Sequence, residues 1–170
     1  MTVRSAVSVV LVMGVSGSGK TTIGALLAGT LGWDFVDGDD LHPPANVAKM
    51  RGGTPLSDDD RGPWLDAIAT WIDVHRASGQ HGVVTCSALK RIYRDRLLLG
   101  RDDVRLVYLY GSYDVVAGRQ AARQGHFMPA TLIQSQFQTL EPPGADEHPM
   151  AMRVDLPPVE IVAALVAGLG

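Results

Sequence analysis

Cysteine is nearly missing from this chain: Cys86 is the only one in 170 residues. That excludes an internal disulfide and a cysteine-based metal cluster. Long apolar runs are missing as well. No stretch reaches the roughly 18 consecutive apolar residues of a membrane span, so no membrane partner is expected. Positive charge is not in excess. Fifteen Lys and Arg against 18 Asp and Glu leave a net charge of −3. The field of the whole protein therefore does not favour nucleic acid or an anionic membrane, and an anionic substrate has to be attracted locally. The sequence shows no repeat, low-complexity tract or linker. One domain spanning 1–170 is expected, large enough for a full core. Only Arg4 precedes the first apolar run, which reads as a core strand rather than a signal peptide. A cytoplasmic protein is the default expectation.

What is present begins with Gly14-Val15-Ser16-Gly17-Ser18-Gly19-Lys20-Thr21, followed by Thr22. It fits G-x-x-x-x-G-K-[ST], the phosphate-cradling P-loop. The context fits too. Ala6 to Met13 is a nearly all-apolar run, which predicts a buried strand. Beyond Lys20 the apolar residues Ile23, Leu26, Leu27 and Leu31 recur at helical spacing. Glycines let the backbone wrap polyphosphate without a Cβ in the way. The following helix aims its unpaired N–H groups and positive dipole end at the same phosphates. Lys20 adds a mobile charge toward the β- and γ-phosphates, and the Thr21 hydroxyl suits Mg²⁺. ATP and Mg²⁺ are the implied cofactors.

Further strands are expected at 33–36, 81–87, 104–110 and, weakly, 151–154. Helices are expected from Pro43 or Pro44 to about Met50, and with Trp64, Leu65, Ile68, Trp71, Ile72 and His75 on one apolar face. Others are expected at 89–99, from Ser112 or Asp114 to about Arg123, at 131–140 and at 158–169. Strands alternating with helices imply an α/β fold, a three-layer parallel sheet with helices on both faces. The ligand then belongs at the carboxyl ends of the strands.

No acid ends the third strand, where Thr85-Cys86-Ser87 stands. The acids instead follow the second strand, at Asp37 and Asp39. One can hold Mg²⁺ through water, and the other can take a hydrogen bond or a proton from an attacking hydroxyl. A solvated acidic turn is the plain alternative.

Several blocks together carry a resemblance. They are the P-loop, Asp37-Gly-Asp39 with Leu41-His42-Pro43, Asn46 with Lys49-Met50, and Pro55-Leu56 with Asp58-Asp59-Asp60-Arg61 and Pro63-Trp64-Leu65. Cys86-Ser-Ala-Leu-Lys90 with Tyr93-Arg94-Asp95, and Arg123-Gln-Gly-His126-Phe-Met128 with Gln136-Phe137 and Leu140-Glu141, extend it. From about residue 8 to about residue 155 the chain resembles the small P-loop gluconokinases, which share the broad fold of shikimate kinase and the nucleoside monophosphate kinases. The resemblance implies transfer of the ATP γ-phosphate to the 6-hydroxyl of D-gluconate, and a homodimer. It implies that the segment 41–61, with His42 and Lys49, is the mobile substrate-binding part and that 119–130 is a lid. The doubled Gly52-Gly53 reads as loop variation. Beyond about Asp155 the likeness is loose, and the adenine contacts stay unassigned.

The residues suit such an acceptor. A polyhydroxy acid needs a cation for its carboxylate, and Arg matches a carboxylate better than Lys does. Arg61 is the first candidate, with Lys90 and Arg94 next. A surface ion pair with the three preceding aspartates is the alternative for Arg61. Arg119 and Arg123 lie four apart and share a helix face. They suit a lid folding over the transferring phosphoryl group, where their charge counts most in the transition state. His126 is either a lid contact to substrate or a loop residue, and no second histidine stands at metal-ligand spacing. Cys86, Trp64 and Trp71 read as core. Lys20, Asp39 and Arg123 are thus the catalytic candidates. Two other readings stay open: a kinase of another small hydroxy acid such as shikimate, and a nucleotide-binding sensor without turnover.

Overall fold

The computed structural model describes residues 6–122 and 130–170. Five strands, β1 (Val9–Met13), β2 (Asp34–Asp37), β3 (Gly82–Thr85), β4 (Val104–Tyr110) and β5 (Met150–Arg153), form one sheet in the order β2-β3-β1-β4-β5. Every pairing is parallel. The helices are α1 (Lys20–Leu31), α2 (Pro44–Arg51), α3 (Asp58–Ser78), α4 (Arg91–Leu98), α5 (Tyr113–Ala122), α6 (Ala130–Thr139) and α7 (Pro158–Leu169). Strand β4 and helix α7 fall where the sequence pattern puts them. The first strand begins at Val9 rather than Ala6.

The central strand β1 shows why its sequence is unbroken hydrophobic: side chains alternate between two buried faces. Val10 and Val12 enter a core with Ile23 and Leu27 of α1 and Ile161 and Leu165 of α7. Val9, Leu11 and Met13 enter a second core with Trp64, Leu65, Ile68 and Ile72 of α3. Helix α3 is closed at its start by a capping box. The Ser57 Oγ accepts from the Asp60 N–H at 3.1 Å, and Asp60 accepts from the Ser57 N–H at 2.9 Å. Gly79 ends the helix in the left-handed conformation, φ +72°.

Two short elements were not expected from sequence. After β2 the chain tightens into a 3₁₀ turn, Gly38–Leu41, and a second turn, Ala145–Glu147, precedes β5. The first has a clear cause. The Asp37 carboxylate accepts from the Asp39 N–H at 2.9 Å, which caps the turn. Gly38 then lies so close to β3 that a Cβ there would stand 1.9 Å from the Thr85 carbonyl oxygen. Gly38→Ala is expected to push β2 off β3 and to cost roughly 1–3 kcal/mol of stability. A thermal melt reads this, and an unchanged Tm would show that the strand end does not depend on that approach.

Candidate active site

The P-loop joins β1 to α1 at the carboxyl edge of the sheet. Gly19, immediately before α1, has φ +93°, a conformation that side chains with a Cβ rarely adopt. Lys20 is buried and donates to the Val15 carbonyl at 3.2 Å, folding back over its own loop. The Ser18 hydroxyl is buried with no hydrogen-bond partner among the described residues. A buried orphan donor within a glycine loop fits a loop built to receive an anion.

Two clefts meet at this loop. The first, about 340 Å³, is lined by Gly17, Ser18, Gly19, Thr22 and Ile23 on one side. Its other side is Arg119 with Val154, Leu156, Pro158 and Ile161. That wall is apolar and comes from the end of β5 and the start of α7. It suits the flat face of a nucleotide base, with Arg119 at its edge. These four wall residues went unassigned in the sequence, because an apolar stretch leading into a helix reads as ordinary core.

The second cleft opens on the other side of the loop. Ser16, Lys20, Asp39, His42 and Arg61 line it with Trp64, Ser87 and Gln136. Asp39 lies at the tip of the 3₁₀ turn, its side chain 61% exposed to the cleft. The protein packed around the cleft raises its pKa above the usual carboxylate value, while the nearby Lys20 ammonium pulls it down. A carboxylate poised this way is a better proton acceptor than a fully solvated one.

Asp37 stands behind the cleft and binds three groups. Oδ2 accepts from Thr21 Oγ1 at 2.8 Å, and Oδ1 from the Asp39 N–H and from Thr85 Oγ1 at 3.1 Å. Thr85 Oγ1 in turn accepts from the Gly38 N–H at 3.1 Å. Thr85, read in the sequence only as a strand end lacking an acid, is the residue that orients the acid of the next strand.

His42 stacks on Trp64 with ring centroids 4.0 Å apart. The Asn46 side-chain NH₂ donates to the Asp60 carbonyl at 2.8 Å, which fixes the orientation of that amide. The same NH₂ therefore also donates to His42 Nδ1 at 3.3 Å, leaving the imidazole proton on Nε2, 3.9 Å from the Asp39 carboxylate. Burial first, then the Arg61 charge, lowers the His42 pKa to about 4. The ring is neutral at pH 7, so it presents an N–H donor rather than a cation. Trp64, read as core, is both core and cleft floor; its Nε1–H donates to the Gly38 carbonyl at 2.7 Å.

The basic candidates separate. Arg61 lines the cleft and donates through Nη1 to the Tyr93 hydroxyl at 3.0 Å, with the Tyr93 ring 5.3 Å beneath it. Tyr93 donates onward to Asp58, which also takes the Lys90 ammonium at 2.8 Å. Lys90 thus braces the cleft wall from behind, and Lys49 is paired with Asp60 at 2.8 Å; neither lines the cleft.

Arg94 is a correction. It is 1% exposed, and Glu147 takes its Nε and Nη2 at 2.7 and 3.2 Å. Its Nη1 donates to the carbonyls of Ala88 and Leu89 at 2.9 and 3.1 Å. Ala88 has φ +46°, so this guanidinium holds a strained loop that carries Ser87 to the cleft. Arg94 supports the site from within the core and does not line the cleft. Arg123 and His126 lie outside the described residues. Cys86 is buried, and burial pushes its thiol up to about 12, so it is chemically quiet.

A parallel sheet with a P-loop at its carboxyl edge, set between an apolar-walled cleft and a cleft that carries Asp39, His42 and Arg61, defines the P-loop kinases of nucleoside monophosphate kinase-like fold. Comparison narrows the class. The AAA domain family matches residues 9–143. A probable gluconokinase of Mus musculus is 48% identical over 95% of this chain and 97% of its own length. The gluconokinase of Gluconobacter oxydans is 51% identical over 81% of this chain and 77% of its own. The crystal structure of a gluconokinase from Sinorhizobium meliloti superposes with a TM-score of 0.87 at 48% identity, covering 98% of this chain and 93% of the other. The chain belongs to the gluconokinase family.

His42 gives a pH prediction. Its folded pKa, about 4, lies below the ordinary 6.5, so the unfolded chain binds the proton more readily between those values. Its contribution is full above about pH 6.5 and is lost as pH falls toward about 4. Urea unfolding at pH 7 and pH 4.5 should show a smaller loss of midpoint in His42→Gln than in the parent. Equal losses would mean that His42 is not held neutral by its surroundings.

Proposed function

We propose that this chain transfers the γ-phosphoryl group of ATP to the 6-hydroxyl of D-gluconate, giving 6-phospho-D-gluconate and ADP. The observation that carries the reading is the second cleft. There an acid, a neutral imidazole and an arginine surround the space next to the P-loop lysine. Gluconate asks for those groups: a cation for its carboxylate, and donors and acceptors for its hydroxyls. The family relatives bear the same activity in their names.

In this reading Arg61 takes the carboxylate, and His42 Nε2–H donates to a hydroxyl. Asp39 accepts the hydrogen bond of the attacking hydroxyl and then its proton. The hydroxyl oxygen forms a bond to the γ-phosphorus as the bond to the ADP oxygen breaks. Lys20 leaves the Val15 carbonyl for the phosphates and offsets the charge spread over the phosphoryl oxygens. Arg119 lies beside the base cleft. Arg123 and His126, by family resemblance, belong to a lid at 119–130 that closes over the phosphoryl group and keeps water out. The segment 41–61 is the substrate-binding part, with Lys49 and Lys90 bracing it through Asp60 and Asp58.

Mg²⁺ fits this site. Thr21 Oγ1 and Asp37 supply hard oxygens 2.8 Å apart at the start of α1, and Mg²⁺ takes few protein oxygens and completes its shell with phosphate and water. When bound, it would shield the phosphate charge. A single-domain, cytoplasmic homodimer completes the proposal; the family resemblance supports the dimer.

ADP release from ATP·Mg²⁺ with D-gluconate, shikimate, nucleoside monophosphates or no acceptor tests the substrate. Release is expected with gluconate alone, and release with another acceptor would retire it. Asp39→Asn should lose about two to four orders of magnitude in kcat while ATP still binds. Near-normal turnover would remove Asp39 from catalysis. Arg61→Ala should raise KM for gluconate with KM for ATP little changed; the opposite pattern would move Arg61 to the nucleotide.

A further inference from the structure

Gln136 lies on α6, 120 residues along the chain from the P-loop, yet its Oε1 accepts from the Ser16 backbone N–H at 2.5 Å. An N–H can only donate, so the amide oxygen, not its nitrogen, faces the loop. This contact puts a side chain on an N–H of the very loop whose N–H groups serve to cradle polyphosphate. Which phosphate it concerns follows from the two clefts. Gly17, Ser18 and Gly19 face the base cleft. Ser16 faces the acceptor cleft together with Lys20 and Gln136. Ser16 and Gln136 are therefore on the side of the loop that carries Lys20, Asp39 and Arg61.

We propose that Gln136 is a positioning residue that exchanges partners between the P-loop and the acceptor. Without a terminal phosphate, its amide oxygen satisfies the Ser16 N–H. A γ-phosphate takes that N–H and releases the amide. Its free oxygen and NH₂ then face the acceptor cleft, where a carboxamide can both accept from and donate to hydroxyls. A nucleoside triphosphate thus has to displace Gln136, whereas a diphosphate, which ends short of Ser16, does not. Acceptor binding gains a partner only after the triphosphate is in place, so the two ligands bind with positive coupling. The acceptor half of this inference rests on the gluconate reading; the nucleotide half does not.

The test is titration calorimetry of the whole chain with ADP and with a non-hydrolysable ATP analogue, each with Mg²⁺, and then with D-gluconate in the presence of each. In Gln136→Leu nothing competes for the Ser16 N–H. The analogue is expected to bind about five-fold more tightly than to the parent, the worth of one net hydrogen bond, with ADP within about two-fold. In Gln136→Glu a carboxylate holds the N–H and repels the γ-phosphate, so the analogue should bind at least about five-fold more weakly, ADP again little changed. Thermal melts of both variants check that the fold is intact, and the two variants must move in opposite directions. In the parent, gluconate should bind more tightly with the analogue than with ADP, and Gln136→Leu should lose that difference. An unchanged ratio of analogue to ADP affinity in both variants overturns the proposal. If gluconate binds the parent in neither state, the substrate reading falls, while the nucleotide ratio still decides for or against Gln136.

Discussion

The Asp37 carboxylate is the point on which the site depends. It accepts from Thr21 at the start of α1, from Thr85 at the end of β3 and from the backbone of Asp39. Three separate elements are thereby fixed to one side chain at the carboxyl edge of the sheet. Each bond has a distinct effect. The Thr21 bond sets the azimuth of the helix whose N-terminus serves the phosphates. The Thr85 bond keeps the edge strand β2 level with β3. The Asp39 bond turns the chain sharply, so that the next carboxylate lines the acceptor cleft. A charged acceptor of several hydrogen bonds in a partly buried position is stronger than neutral pairs would be. Acids two residues apart on an extended strand would simply point the same way. The 3₁₀ turn gives them different work: one faces the P-loop helix, the other the acceptor.

A second layer of charge holds the acceptor cleft from outside. Asp58 and Asp60 begin α3, where negative charge is favoured by the helix N-terminus, and each also takes a lysine. Asp58 further takes the Tyr93 hydroxyl, and Tyr93 carries Arg61. On the far wall, Arg94 and Glu147 are both nearly inaccessible and satisfy each other along with backbone carbonyls. Such a pair contributes little net stability against apolar side chains of equal volume. Its value here is geometric: it holds Ala88 at φ +46° and so the path of the loop bearing Ser87.

The fold was legible because its signals are local. A valine-rich run, a glycine loop and helical spacing can be read in one window. Of the candidate site, the P-loop motif picks out Lys20 and Thr21, the acids after the second strand give Asp37 and Asp39, and carboxylate chemistry picks out Arg61, which lines the cleft with Lys20 and Asp39. Arg94 shows the limit. In sequence it is one more basic residue beside Lys90 and Arg91, and nothing nearby tells that Glu147, 53 positions on, will claim it. Thr85, Tyr93 and Gln136 were given no role for the same reason, since their contacts are with partners 32 to 120 residues away. The base wall of Val154, Leu156, Pro158 and Ile161 gave no signal because a cleft-lining apolar residue and a core residue have the same composition.

The two clefts draw on opposite halves of the sheet. The acceptor side is built around the chain that follows β2 and β3 together with Leu132, Ser135 and Gln136 of α6, whereas the other cleft takes its wall from Arg119 of α5, the end of β5 and α7. Among the described residues, the P-loop and the start of α1 serve both. A substitution on one side therefore reaches the other chiefly through the P-loop and through Gln136, which touches it.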